Sequence, residues 1–143
     1  MALLGAHMSI AGGMHHAIER GDSLKCEAIQ IFTQSSRTWN ATPLTDEEIA
    51  QFKSALDDAK FVKRVVAHNS YLLNLSTAIF AMREKSVRFF ISVMEKCEAL
   101  GVEALITHPG SHLGAGVEAG ISLTATSLNE VLRSCKGFRT KIL

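Results

Sequence analysis

The side chains with the most chemical reach in this sequence are histidines that close apolar runs. His68 ends Arg64-Val65-Val66-Ala67-His68, and His108 ends Ala104-Leu105-Ile106-Thr107-His108. At the end of a parallel strand, an imidazole can present a neutral nitrogen into the mouth of a β/α fold, the form in which zinc takes it as a ligand. A structural histidine held by a local hydrogen bond is the other reading of each. His7 stands near the end of a first apolar run and His112 lies four residues beyond His108. Either could orient a ligand, His112 could also touch a phosphate, and a local hydrogen bond accounts for His112 equally well. His15 and His16 fall on a predicted helix, adjacent rather than four apart, which predicts that they cannot both face one metal.

A second group of residues suits contact with nucleic acid. Arg37 and Trp39 follow one apolar run, and Asn69-Ser70-Tyr71-Leu72-Leu73 follows the next. Proteins that distort DNA push apolar side chains into the base stack while arginine holds the backbone or fills the gap. Taken alone, Tyr71-Leu72-Leu73 reads first as the core-facing start of a helix, and Trp39 as a packing residue.

Positioning these residues falls to an alternation of apolar runs with helical patterns, the signature of parallel strands joined by crossover helices. Strands are predicted over Leu3 to Met8, Ala28 to Phe32, Arg64 to His68 and Ala104 to His108, with Thr140 to Leu143 beginning a fifth. Helices are predicted over Met14 to Leu24, from Thr45 to about Lys60, from about Ala78 to Leu100, and over Ile121 to Ser134. Thr45 and Glu48 have the spacing of a capping box. Ile49, Phe52, Leu56 and Ala59 recur at helical steps. Gly101 is placed to end the third helix in the left-handed conformation. The fold class is therefore α/β, with about four β/α units plus the start of a fifth strand, in one domain over residues 1–143.

Ligands of such folds bind in the loops at the carboxyl ends of the strands, where the polar candidates collect. Composition narrows the partners. The apolar fraction of 47%, with 20% charged residues and two prolines, describes a globular chain. A formal charge of +1 gives no overall field for nucleic acid, so attraction would come from local placement of Lys and Arg or from bound cations. Cys26, Cys97 and Cys135 lack metal or redox spacing and read as reduced structural thiols. Without a targeting segment or a long apolar span, no membrane partner is expected and a cytoplasmic, nucleoid-associated location is the default; in a eukaryote it would be nuclear or mitochondrial.

Read together, Gly5-Ala6-His7-Met8-Ser9 with Gly12-Gly13, Phe32-Thr33 with Arg37 and Trp39, His68-Asn69-Ser70-Tyr71-Leu72-Leu73-Asn74-Leu75, and His108-Pro109-Gly110-Ser111-His112 resemble the endonuclease IV family. The resemblance runs in order over nearly the whole chain. It implies the N-terminal half of a xylose-isomerase-like (β/α)₈ TIM barrel with three zinc ions, which hydrolyses the DNA backbone 5′ to an abasic site and leaves a 3′-hydroxyl. By position His68 and His108 match zinc ligands, and no catalytic residue beyond the metal ligands is implied. Arg37, Tyr71 and Leu72 match residues that enter double-stranded DNA at the abasic site; Gln34 and Ser35 match backbone contacts more loosely. Met8 and Asn69 depart from the commoner residues at their positions.

The family's later ligands, beginning with a glutamate at the end of the fifth strand, lie beyond Ile142-Leu143. A chain of these 143 residues is therefore expected to bind zinc weakly, to be inactive alone, and to be open to self-association through its barrel edges. Two other readings remain: part of a sugar isomerase or epimerase of the same barrel type, against which Arg37 and Tyr71-Leu72 argue, and a non-catalytic DNA-binding half-barrel.

Overall fold

The computed structural model describes residues 2–143. Its strands are β1 (Gly5–His7), β2 (Ala28–Ile31), β3 (Arg64–His68), β4 (Ala104–Ile106) and β5 (Lys141–Ile142). Between them lie α1 (His15–Ser23), α2 (Asp46–Asp58), α3 (Phe80–Leu100) and α4 (Val117–Ser134). All neighbouring strands are parallel and the sheet runs in chain order, β1-β2-β3-β4-β5, with β1 and β5 at its ends. The expected four β/α units and following strand are present. No helix among the described residues is long and apolar enough to cross a membrane.

The core forms where one face of the sheet meets the helices. Ile29, Ile31, Val65, Ala67 and Leu105 alternate along β2, β3 and β4 and are buried with Ala17, Ile18, Phe52, Phe90, Val93, Met94 and Val131 from the four helices. Strand periodicity sends the intervening residues to the opposite face. Register aligns His7 with Gln30, Gln30 with Val66, and His68 with Ile106, so these side chains share the face turned away from the helices.

Close approach of backbone decides two early positions. A Cβ on Gly5 would lie 1.5 Å from the Ala28 carbonyl oxygen, so β1 can lie against β2 only with glycine there. At Gly21 it would lie 2.5 Å from Ile29 Cγ2, and α1 settles onto β2 through that missing carbon.

Helix ends follow the predicted chemistry in part. Thr45 and Glu48 form the capping box: Thr45 Oγ1 accepts from the Glu48 amide at 3.2 Å and the Glu48 carboxylate accepts from the Thr45 amide at 2.8 Å. That amide is the main reason the Glu48 carboxyl lies below its ordinary value. Gly101 ends α3 at φ +75°. Three expectations need correction. Leu24 follows α1 as its cap and is 68% exposed, because the chain turns there and carries the residue off the buried face. Helix α4 starts at Val117, four residues early, with Gly116 supplying the φ of +95° at its entry. Strand β4 ends at Ile106, which pairs with His68 at the end of β3, and His108 stands in the loop two residues past the strand.

Candidate functional site

Five rings meet at the carboxyl ends of the first four strands. Phe32 lies at the centre, 4.6 Å from His7, 5.8 Å from His68 and 6.0 Å from Tyr71 between ring centroids. His68 is 5.1 Å from His108 and 5.2 Å from Tyr71, while Tyr71 stacks on His108 at 5.9 Å with planes 20° apart. Strand parity explains much of the convergence. His7 pairs with Gln30, Phe32 follows Gln30 by two residues, and His68 follows Val66 by two, so these side chains fall on the face turned away from the helices. His108 follows Ile106, the partner of His68, by the same step. Its displacement into the loop does not remove it from the group.

Hydrogen bonds assign the imidazole nitrogens. His68 is buried, and its Nδ1 donates to the Asn69 carbonyl at 2.7 Å. That fixes the proton on Nδ1 and leaves the Nε2 lone pair free, the tautomer a zinc ligand needs. At His7 the Gln30 side-chain amide donates to Nδ1 at 2.9 Å, which puts the ring proton on Nε2 and suits His7 to donating a hydrogen bond rather than binding metal. Burial among the rings, then repulsion from His68, hold the His7 imidazole below its ordinary value and favour its neutral form. The donor set thus fits zinc chemistry as far as it goes. Among the described residues, however, the strand-end histidines do not belong to any group of three or more ligating side chains.

The loops around the rings are stitched together. Ser70 Oγ donates to the Ser36 carbonyl at 2.8 Å, joining the loop of Tyr71 to that of Arg37. Trp39 packs edge-on against Phe89 at 5.3 Å, with the Lys85 ammonium 4.4 Å above its ring, so the packing role expected for it is what is seen. Lys96, on α3, donates to Gln34 Oε1; desolvation in this buried spot pulls its ammonium below the ordinary value, and the Glu48 charge opposes that. Arg37 itself is exposed on the loop these contacts hold. On the other side, Asn74 accepts from the Ser76 and Ser111 amides at 3.1 Å each and donates to the Ser111 carbonyl at 2.9 Å, fixing the loop of His108.

Tyr71, Leu72 and Leu73 form a turn in an extended connection, and α3 starts only at Phe80. The reading of this run as a helix start is corrected: Ser70 Oγ accepts from the Leu72 amide and closes a side-chain turn that competes with helix. Tyr71 is 67% exposed, Leu72 half-buried and Leu73 buried. His112 is apart from the rings. Its Nδ1 accepts from the amides of Gly114 and Gly116, each at 3.1 Å, so one nitrogen serves its own loop.

Sequence reasoning gave Gln30 and Lys96 no part in the site, and named Phe32 and Ser70 only within motifs, with no role of their own. An aromatic residue straight after an apolar run was the available sign for Phe32. The expectation for His15 and His16 is also corrected: their rings are 4.0 Å apart, and with Glu19 they form a group whose donor atoms all lie within 4.8 Å of one another. Both rings fold back over Gly12-Gly13, where no Cβ blocks them.

Known proteins resemble this chain in sequence and in fold. The profile of the xylose isomerase-like TIM barrel family matches residues 18–143. Proteins named probable endonuclease 4 from Citrifermentans bemidjiense and Chloroflexus aggregans are each 40% identical over all of this chain, and the chain spans about half, 50%, of their length. The crystal structure of endonuclease IV from Thermus thermophilus superposes over 92% of this chain and 46% of its own, with a TM-score of 0.81 and 33% identity. A D-psicose 3-epimerase solved with D-fructose has a TM-score of 0.70 over 97% of this chain and 51% of its own, but 14% identity, a likeness of fold alone.

Proposed function

The chain belongs to the xylose isomerase-like TIM barrel family, and on that premise we propose that it carries part of the site of a zinc-dependent DNA-repair nuclease acting at abasic sites. The observation that carries the reading is the ring cluster, in which two histidines at neighbouring strand ends, their rings 5.1 Å apart, meet an exposed tyrosine beside a pinned arginine loop. Identity of 33% to an endonuclease IV, against 14% to an epimerase of the same fold, favours the nuclease over a sugar isomerase.

His68 and His108 would hold zinc, with the Asn69 carbonyl fixing the tautomer of the first and the Tyr71 ring supporting the plane of the second. Bound zinc ions would supply hydroxide near neutral pH and offset charge on the attacked phosphate. His7, protonated on Nε2, is set to donate a hydrogen bond at the rim of the same cluster. Tyr71 and Leu72 project from a turn that cannot slide into α3, a suitable wedge for the gap left by a missing base. Arg37, exposed on its tethered loop, would contact the DNA backbone through its planar donor fork. Neutral imidazoles cannot offset the charge of a three-zinc cluster, so the 143 residues alone bind zinc weakly at this site and do not turn over. The open ends of the sheet at β1 and β5 favour self-association, which gel filtration reads directly.

Fluorescence anisotropy with an abasic duplex and the matched intact duplex tests the reading. Preference for the abasic duplex, lost in Tyr71→Ala, is expected, with Arg37→Ala weakening the binding of both duplexes. Equal binding of both duplexes by the folded chain would overturn the abasic-site reading, and multiple-turnover cleavage by the zinc-loaded chain would overturn its inactivity.

A further inference from the structure

We propose a second metal site, separate from the strand-end histidines, formed by His15, His16 and Glu19 at the start of α1 and suited to a divalent ion of borderline softness such as zinc. The ligating atoms of the three side chains all lie within 4.8 Å of one another. Tetrahedral zinc with bonds near 2.0–2.1 Å places its ligand atoms about 3.3 Å apart. The group is therefore close to ligand spacing before any ion arrives, and the long, exposed Glu19 side chain can close the remainder by rotation.

Adjacent helical residues ordinarily point about 100° apart, which is why such a pair is a poor expectation from sequence. Here the two rings come to 4.0 Å between centroids because the preceding turn is Gly12-Gly13. A Cβ on Gly13 would lie 2.7 Å from His15 Cε1, and one on Gly12 would lie 3.2 Å from His16 Cδ2. The glycine pair is thus a cradle for both imidazoles. His16 Nδ1 donates to Glu19 Oε2 at 2.6 Å, so a carboxylate already orients the ring. A metal can replace the shared proton on Nδ1, releasing it to solvent, or take Nε2 and keep Glu19 as the hydrogen-bond partner that raises the ring's basicity. The amino end of a helix disfavours a cation, and the carboxylate of Glu19 offsets that. Two nitrogens and one oxygen leave a coordination position for water, and His15 and Glu19 line an open groove against α2 through which water can reach it.

Zinc titration of the full 143-residue chain tests the site, followed by the imidazole nitrogen resonances of the histidines and by calorimetry. At one equivalent, the His15 and His16 resonances should shift. In a His68→Ala/His108→Ala background the same equivalent should still bind, and His16→Gln or Glu19→Gln should weaken it by at least about tenfold. Zinc that leaves the His15 and His16 resonances unmoved in the unsubstituted chain, or an affinity indifferent to His16→Gln and Glu19→Gln, would overturn the proposal. Because these residues are exposed or half-buried, their variants keep the fold, which circular dichroism checks.

Discussion

Asn74 and Gly110 approach so closely that a Cβ on Gly110 would lie 2.2 Å from Asn74 Oδ1 and 2.8 Å from Asn74 Cα. The contact brings the loop after β3 against the loop after β4, and the two carry Tyr71 and His108. Gly110 also has φ +104°, which side chains rarely adopt. Gly110→Ala should therefore cost about 1–3 kcal/mol from the backbone alone, with displacement of the Asn74 carboxamide added. Urea unfolding measures the loss, and separation of the Tyr71 and His108 ring resonances reads the loop movement. A variant as stable as the parent with unmoved rings would show that the loops are not locked through this contact.

Cys97 makes the fold sensitive to alkali. Its thiol is buried against the core and burial pushes it up to about 12, against an ordinary value of 9.0. A group whose folded value is raised contributes stability below its unfolded value and loses it as pH rises toward the folded one. From pH 9.0 to about 12 the unfolded chain ionises this thiol and the folded chain does not, so stability should fall by about 1.4 kcal/mol per pH unit. Relief of the buried Lys96 ammonium works in the opposite sense and is common to parent and variant. Denaturant midpoints of Cys97→Ala should decline less steeply above pH 9.0; parallel profiles would remove the thiol as the cause.

How far this molecule can be read from its sequence varies with scale. The strand runs were legible because Ile29-Ile31, Val65-Ala67 and Leu105 alternate with residues of the other face, and the capping box named the start of α2 within one residue. His68 and His108 were legible as strand-end candidates, and they are in contact. What escaped depends on spatial neighbours. Phe32 became central only once register set it between His7 and His68, and Gln30 became a partner of His7 through the same pairing. The His15-His16 pair was misjudged because a helical wheel ignores the glycine turn before it. Tyr71-Leu72-Leu73 was legible as a candidate run, but its turn was not, because helical apolarity does not reveal the Ser70 hydroxyl that closes it.

Glu98 links α3 to the approach of β5 and carries an acid-dependent share of stability. Its carboxylate accepts from the Thr140 and Arg139 amides, at 3.0 and 2.9 Å, and from the Thr140 hydroxyl at 3.1 Å. The Thr140 amide is the main cause holding its carboxyl below the ordinary 4.5, with the Arg139 amide adding to it. A lowered folded value means stability that is complete above 4.5 and lost as pH falls through the folded value. Glu98→Gln keeps an acceptor but no charge, so its stability should depend less on pH in that range. Faster amide exchange at Arg139 and Thr140 should accompany the substitution; unchanged exchange and an unchanged acid profile would assign the anchoring of β5 elsewhere.

Ser70 offers the sharpest test of whether the two loops proposed to meet DNA act together. Its hydroxyl donates to the Ser36 carbonyl and accepts from the Leu72 amide, so one side chain fixes both the Arg37 loop and the turn that presents Tyr71. Ser70→Ala removes one donor and one acceptor while leaving the backbone free to stay where it is. The expected cost is about 1 kcal/mol of stability, read by thermal unfolding. Its effect on an abasic duplex should be larger than on an intact one, because entry of Tyr71 requires the turn, whereas backbone attraction through Arg37 does not require a fixed loop. A double-mutant cycle with Arg37→Ala separates the cases. If Ser70 positions Arg37 relative to Tyr71, the second substitution costs less in the background of the first. If the two effects simply add, each loop engages DNA independently, and the Ser70–Ser36 contact serves folding rather than recognition.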